Sequence, residues 1–141
     1  MPTGLIVCLA VLASASVYGV VHRRGDGRVR VRAKDSAERL TAEDLGEPLG
    51  ERATLLQFSS AFCAPCRATR RVLGEVSDMV PGVRHAELDA EAHLELVRRL
   101  NVLKTPTVLV LAADGAVVRR AAGQPRRADV IAALGVAVEP V

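Results

Sequence analysis

The chain has 141 residues, half of them apolar and a quarter charged, which fits one folded domain and excludes a disordered or low-complexity polymer. Aromatic residues make up 2% (Tyr18, Phe58, Phe62, no Trp), too few for the stacking platforms of a single-strand nucleic-acid reader, and the three cysteines are too few for a disulfide-stapled scaffold or an all-cysteine zinc site. The formal net charge of +3 is local: residues 22–34 carry six basic side chains and one acidic, whereas residues 35–141 carry thirteen basic and fifteen acidic, so nucleic acid is not an expected partner and a membrane-flanking segment is.

Gly4 to Val21 is a run of 18 residues without a charge. As a helix it spans about 27 Å, close to the hydrocarbon thickness of a bilayer. Its rival is a cleaved signal peptide, for which Ala13-Ser14-Ala15 resembles a cleavage site. The residues before the run offer no charged side chain and the basic residues follow it, the wrong polarity for export, so a single-pass membrane helix through residues 4–21 is the expectation. Cys8 lies within it. The following HRRGDGRVRVRAK segment reads as a basic collar: Gly25-Asp26-Gly27 signals a turn, and Arg28 to Arg32 alternates basic residues with Val as a short edge strand does. The Lys/Arg bias expects this flank, and the domain behind it, on the cytoplasmic side. The chain therefore divides into an anchor at 1–22, a basic linker at 23–35 and a domain at 36–141.

The domain alternates strand and helix patterns. Ala53 to Ser59 reads as a buried strand. Cys63 to Val80 has helical spacing, with Val72, Val76, Met79 and Val80 as its inward stripe. Val83 to Asp89 is a strand, with Asp89 expected to cap the next helix. That helix spans Ala90 to Leu100, with Leu96, Val97 and Leu100 inward. Thr107 to Leu111 is a β-branched strand, Asp114-Gly115 a hairpin turn, and Ala116 to Arg120 the returning strand. Asp129 to Leu134 falls in a last helix, with Pro125 near its start. The order β-α-β-α-β-β-α implies an α/β sandwich around a mixed sheet.

The chemistry concentrates in Phe62-Cys63-Ala64-Pro65-Cys66-Arg67. A CxxC pair stands just after a buried strand and opens a helix. The first-turn N–H groups there are unpaired and the helix dipole is positive, so a Cys63 thiolate is stabilised below the free-thiol pKa of about 8.5. The thiolate is the attacking species in disulfide exchange, and two intervening residues let Cys66 reach back to resolve the mixed disulfide. Pro65 presets helical φ where its missing N–H costs little. A zinc knuckle would need two more ligands. His22, His85 and His93 do not repeat the pair's spacing, so no metal is expected. Arg67, Arg70 and Arg71 follow on the same helix, as weak support for the thiolate or as a solvated face.

Lys104-Thr105-Pro106-Thr107 leads directly into the strand TVLVL. Together with the CxxC, this is where the chain resembles the thioredoxin superfamily, over about residues 36 to 135. The resemblance implies a thioredoxin-like mixed sheet flanked by helices, here preceded by one N-terminal transmembrane helix. It implies that Pro106 is cis, that the Thr105 backbone pairs with a bound substrate chain, and that Phe62, Pro65, Thr105 and Pro106 form the substrate surface. The Asp114-Gly115 hairpin and Gly123 fit the same pattern.

The departures are specific. Phe62 replaces the family's Trp, and Ala-Pro replaces Gly-Pro within the CxxC. Gln57 occupies the place of the family's buried carboxylate, and His85 that of the accompanying Lys. Gln cannot take a proton at neutral pH; imidazole can, so Gln57 and His85 are candidates for an altered proton relay, with an ordinary strand histidine as the alternative. His93 reads as a surface residue.

These readings lead to a membrane-anchored thiol–disulfide oxidoreductase that reduces protein disulfides. Cys63 attacks and Cys66 resolves. No cofactor is expected beyond the dithiol, and the electrons come from an upstream reductase. Two alternatives stand beside it: a redox-sensing or binding module of the same fold with little turnover, and an outward-facing envelope thiol reductase.

Overall fold

The computed structural model describes residues 2–30 and 38–138. Helix α1 (Pro2–Gly25) is one continuous helix whose residues are all exposed. It carries Arg23 and Arg24 in its last turn. Strand β1 (Val29–Arg30) covers part of the expected Arg28–Arg32 strand; Val31 and Arg32 lie outside the described residues.

The domain is built on one five-stranded sheet. The central β2 (Ala53–Ser59) pairs parallel with β3 (Val83–Asp89) and antiparallel with β4 (Thr107–Ala112). Strand β5 (Val117–Ala122) returns antiparallel to β4, and β1 closes the far edge on β5. The parallel pair needs a crossover, which α3 (Ala64–Met79) supplies; the antiparallel pair needs only the Asp114-Gly115 turn. Gly115 sits at φ 85°, and a Cβ there would lie 1.9 Å from the Leu40 carbonyl oxygen, so this turn admits only glycine.

Side chains alternate across the sheet. Leu56, Phe58, Ala86, Leu88, Leu109 and Leu111 build one core with Leu45 of α2 (Ala42–Leu45) and Leu96 of α4 (Leu94–Arg99). Ala53, Leu55, Val83, Val108 and Val110 build the other against Leu73 and Val76 of α3 and Val130 and Leu134 of α5 (Arg127–Val138). Two apolar layers around one sheet explain why β2 is buried at all seven positions.

Several sequence expectations are corrected. Of the stripe expected on α3, Val76 is buried, but its buried companions are Cys66, Thr69 and Leu73 rather than Val72, Met79 and Val80. Cys66 at the start of the helix already faces the sheet, and the 3.6-residue period carries that face to Leu73 and Val76; Met79, in the last turn, is 53% exposed. Asp89 does not cap α4. Its carboxylate accepts the Glu91 N–H at 2.9 Å in a turn, and α4 starts only at Leu94, behind His93 at the N-cap. Of the inward residues expected there, Leu96 and Leu100 are buried and Val97 half-buried. The four-residue α2 was not legible as a helix by periodicity, being too short. Thr41 and Asp44 cap it reciprocally, and Gly46 ends it at φ 71°. Asp44 also takes the Arg99 guanidinium, which ties α2 to α4 and holds the carboxyl below its ordinary range.

Candidate active site

Strand β2 ends at Ser59, and three residues later the chain turns sharply. Phe62 has φ 57°, a left-handed conformation unusual for a bulky residue, and its ring is fully exposed. Cys63 then occupies the N-cap of α3, and its sulfur accepts the Cys66 N–H at 3.2 Å. This is the place a Ser, Thr or Asp oxygen takes in an ordinary cap, so an anionic sulfur here is held by a first-turn amide and by the helix dipole. Pro65 lies in that same first turn. Cys63 and Cys66 are joined in a disulfide with Cα atoms 5.2 Å apart. The two residues differ in access: Cys63 is half-buried, Cys66 1% exposed. An incoming molecule can reach only the first.

The Thr105–Pro106 peptide bond is cis. Pro106 is buried and Thr105 half-buried. The Thr105 and Ser60 hydroxyls are hydrogen-bonded at 2.7 Å, which fastens this loop to the segment leading into the disulfide. The Pro106 carbonyl accepts the Gly123 N–H at 2.7 Å, and Thr107 Oγ1 donates to the Lys104 carbonyl at 2.6 Å. Ser60 was missed by sequence reasoning; its only signal was its place between strand and CxxC.

Beneath the disulfide lies a polar chain inside the helix-facing layer. Gln57 is fully buried. Its Nε2 donates to the Cys66 carbonyl at 2.9 Å and to Ser59 Oγ at 3.0 Å. The carbonyl can only accept, so the amide orientation is determined and Oε1 faces His85 Nε2 at 3.1 Å. His85 must therefore donate from Nε2. Glu87, opposite Gln57 on β3, takes a bidentate grip from Arg70 of α3 at 2.5 Å on each branch. Arg70 is thus turned to the sheet rather than to the sulfurs, and it holds Glu87 below the usual carboxylate range. Gln57 and His85 are brought together as expected partners, yet the chain ends on the Cys66 backbone and His85 stands behind Gln57. Sequence reasoning missed Ser59 and Glu87. Their two-residue spacing from Gln57 and His85, which puts them on the same sheet face, was the available signal.

Burial pushes the His85 pKa below its ordinary 6.5, against the opposing pull of Glu87. The neutral ring is then the folded-state form. Stability should be full above about pH 6.5 and fall as pH drops below it, because the unfolded chain takes up the proton first. A proton NMR titration of the His85 ring should show a midpoint under 6.5, and His85→Gln should flatten the acid slope of stability. A midpoint at or above 6.5 would contradict the buried, donating imidazole.

The thioredoxin family model matches residues 37–135, which include the disulfide and the cis-proline loop. The chain belongs to the thioredoxin family. Thioredoxin-2 of Pyricularia oryzae is 31% identical over 80 residues, covering 55% of this chain and 47% of that protein. A thioredoxin of Aspergillus fumigatus is 31% identical over 61 residues, covering 43% and 56%. The chain spans about half the length of these curated relatives. Among solved structures, a mutant thioredoxin from Halobacterium salinarum superposes with a TM-score of 0.58 at 21% identity, over 64% of this chain and 79% of that one. Thioredoxin f from spinach chloroplast gives 0.56 at 21% identity, over 64% and 80%. This likeness shows the fold. This thioredoxin-family chain carries Phe62 ahead of the pair, a buried Gln57 hydrogen-bonded to His85, and α1, which is long and apolar enough to cross a membrane.

Proposed function

We propose that the chain is a membrane-anchored thiol–disulfide oxidoreductase that reduces disulfides in protein substrates. The observation that carries this reading is the asymmetric pair: an accessible Cys63 sulfur at the N-cap of α3 and a buried Cys66 sulfur bonded to it. In the reduced protein the Cys63 thiolate attacks one sulfur of a substrate disulfide and expels the other as thiolate. Cys66 then attacks Cys63 of the mixed disulfide, releasing the substrate's second thiol and closing the Cys63–Cys66 bond. Each cycle gives two electrons to the substrate, and an upstream reductase returns them. Phe62, Pro65, Thr105 and Pro106 form the surface around the sulfur, with the Thr105 backbone offered to an extended substrate segment. Gln57 and His85 act here by holding the Cys66 carbonyl, and so the resolving turn, in place. A redox-sensing module with little turnover is the second reading, favoured by the amide at position 57, which cannot take the Cys66 proton. Catalysed reduction of insulin disulfides by the reduced chain is expected; reduction no faster than by dithiothreitol alone would favour the sensor.

The anchor is the uncharged stretch of α1, with residues 1–22 as the membrane segment, 23–35 as the basic flank and 36–141 as the thioredoxin-like domain. The Lys/Arg bias of this flank supports a cytoplasmic domain. Fusions at Val141 test this: a fluorescent-protein fusion should glow and an alkaline-phosphatase fusion should be inactive. The reverse pattern would move the substrates to the envelope.

A further inference from the structure

The junction between α1 and the domain is a built cleft. Asp26 is ion-paired with Lys104, and the Gly27 N–H donates to the Ala122 carbonyl at 2.8 Å. Gly27 sits at φ 73°, and a Cβ there would lie 1.9 Å from the Gln124 carbonyl oxygen. Val29 and Arg30 then pair with Ala121 and Arg120. The end of α1 is thus pinned to the sheet edge. Between it and α5 opens a cavity of about 670 Å³, lined by Arg23, Arg24, Arg28, Arg119 and Arg126. Of the two carboxylates on its wall, Asp26 is taken by Lys104, leaving Asp129. Among the described residues, the side chains of Arg23, Arg24, Arg28 and Arg126 have no ion-pair or hydrogen-bond partner, and Arg119 donates only to the neighbouring Val118 carbonyl at 2.7 Å. Ala133 and Val136 of α5 give the cleft an apolar side.

We propose that this cleft binds the headgroup of an anionic phospholipid and so holds the domain in a set orientation against the bilayer. The proposal rests on the reading of α1 as a membrane span. Guanidinium groups match phosphate oxygens in bidentate geometry, and a cluster of unpaired ones repels itself until an anion enters. A lipid is the occupant because of position and composition. Arg23 and Arg24 follow Val21, the last residue of the uncharged run, where headgroup phosphates lie. The apolar side fits the first methylenes of an acyl chain, which a free phosphate lacks. Arg119 and Arg126 are the decisive pair, because they belong to the domain and not to the flank that any anchor carries.

The test uses the full chain reconstituted in phosphatidylcholine vesicles with and without phosphatidylglycerol, then extracted in mild detergent for native mass spectrometry of retained lipid. Wild type should retain phosphatidylglycerol over phosphatidylcholine. Arg119→Gln combined with Arg126→Gln should lose this retention about tenfold, while still floating with both vesicles and keeping the wild-type Cys63–Cys66 equilibrium with glutathione. Unchanged retention by the double variant, or equal retention of both lipids by wild type, would overturn the site. Complete displacement of the lipid by millimolar inorganic phosphate would make it a soluble-anion site and overturn the lipid assignment. Wild type that floats with neither vesicle would overturn the anchor itself, an outcome distinct from loss of the cleft.

Discussion

Cys63→Ser is expected to reduce insulin turnover to the uncatalysed background, whereas Cys66→Ser should arrest after the first step and accumulate mixed disulfides through Cys63. The difference follows from access and electrostatics. Cys63 is the half-buried partner, and its sulfur accepts the Cys66 N–H in the first turn of α3, so its thiolate is the form that the helix terminus stabilises. Cys66 is 1% exposed, and a substrate sulfur cannot approach it in line. Mass spectrometry of trapped adducts reads the outcome; equal trapping by both variants would remove the assigned order of attack. On the reduced wild type, the alkylation rate of Cys63 should rise with an inflection below about 8.5, the value of a free thiol.

The largest stability loss is expected for Phe58→Ala. Phe58 lies on β2, the strand flanked by both β3 and β4, and is 0% exposed in the core shared with Leu88, Leu100 and Leu109. Removing a buried ring loses its transfer free energy and leaves a cavity that neighbours on both sides cannot fill, a cost of about 3–5 kcal/mol. That is a large part of the roughly 5–15 kcal/mol by which a domain is stable. Leu103→Ala is the control: Leu103 is 81% exposed, and its loss should cost under about 0.5 kcal/mol. Urea denaturation of the full chain in detergent micelles compares them. Similar midpoints for the two variants would place the core elsewhere.

The strands and the chemistry were legible along the chain because each is a local pattern. A short stretch rich in apolar residues at Ala53–Ser59 and an Asp-Gly turn between β-branched segments define β2 and the β4–β5 hairpin through backbone sterics and side-chain period alone. The CxxC is legible because a cysteine pair between a strand and a helix has one place to go, the helix N-terminus. The uncharged run and the basic flank behind it are equally local. Which face a helix buries is not. The sequence of α3 offers Val72 and Met79 as readily as Leu73 and Val76, and the choice was made when Cys66 was turned to the sheet at the first turn. The ends of α4 and the place of Asp89 were likewise decided by a turn whose hydrogen bonds compete with the helix.

The sequence by itself determined the fold class, the place of the cysteine pair ahead of a helix and the apolar N-terminal helix, because these depend on residue type at short spacing. Only the tertiary structure decided what meets across long separations. Gln57 donates to the Cys66 carbonyl nine residues away and accepts from His85 twenty-eight away, and Asp26 at the end of the apolar helix closes on Lys104 beside the cis-proline loop, seventy-eight residues on. The physical reason is that a donor, a charge or a methyl group carries no label for its partner. Strand register and the pinning of α1 to the sheet edge select one partner among many of the same chemistry, and those are properties of the assembled sheet.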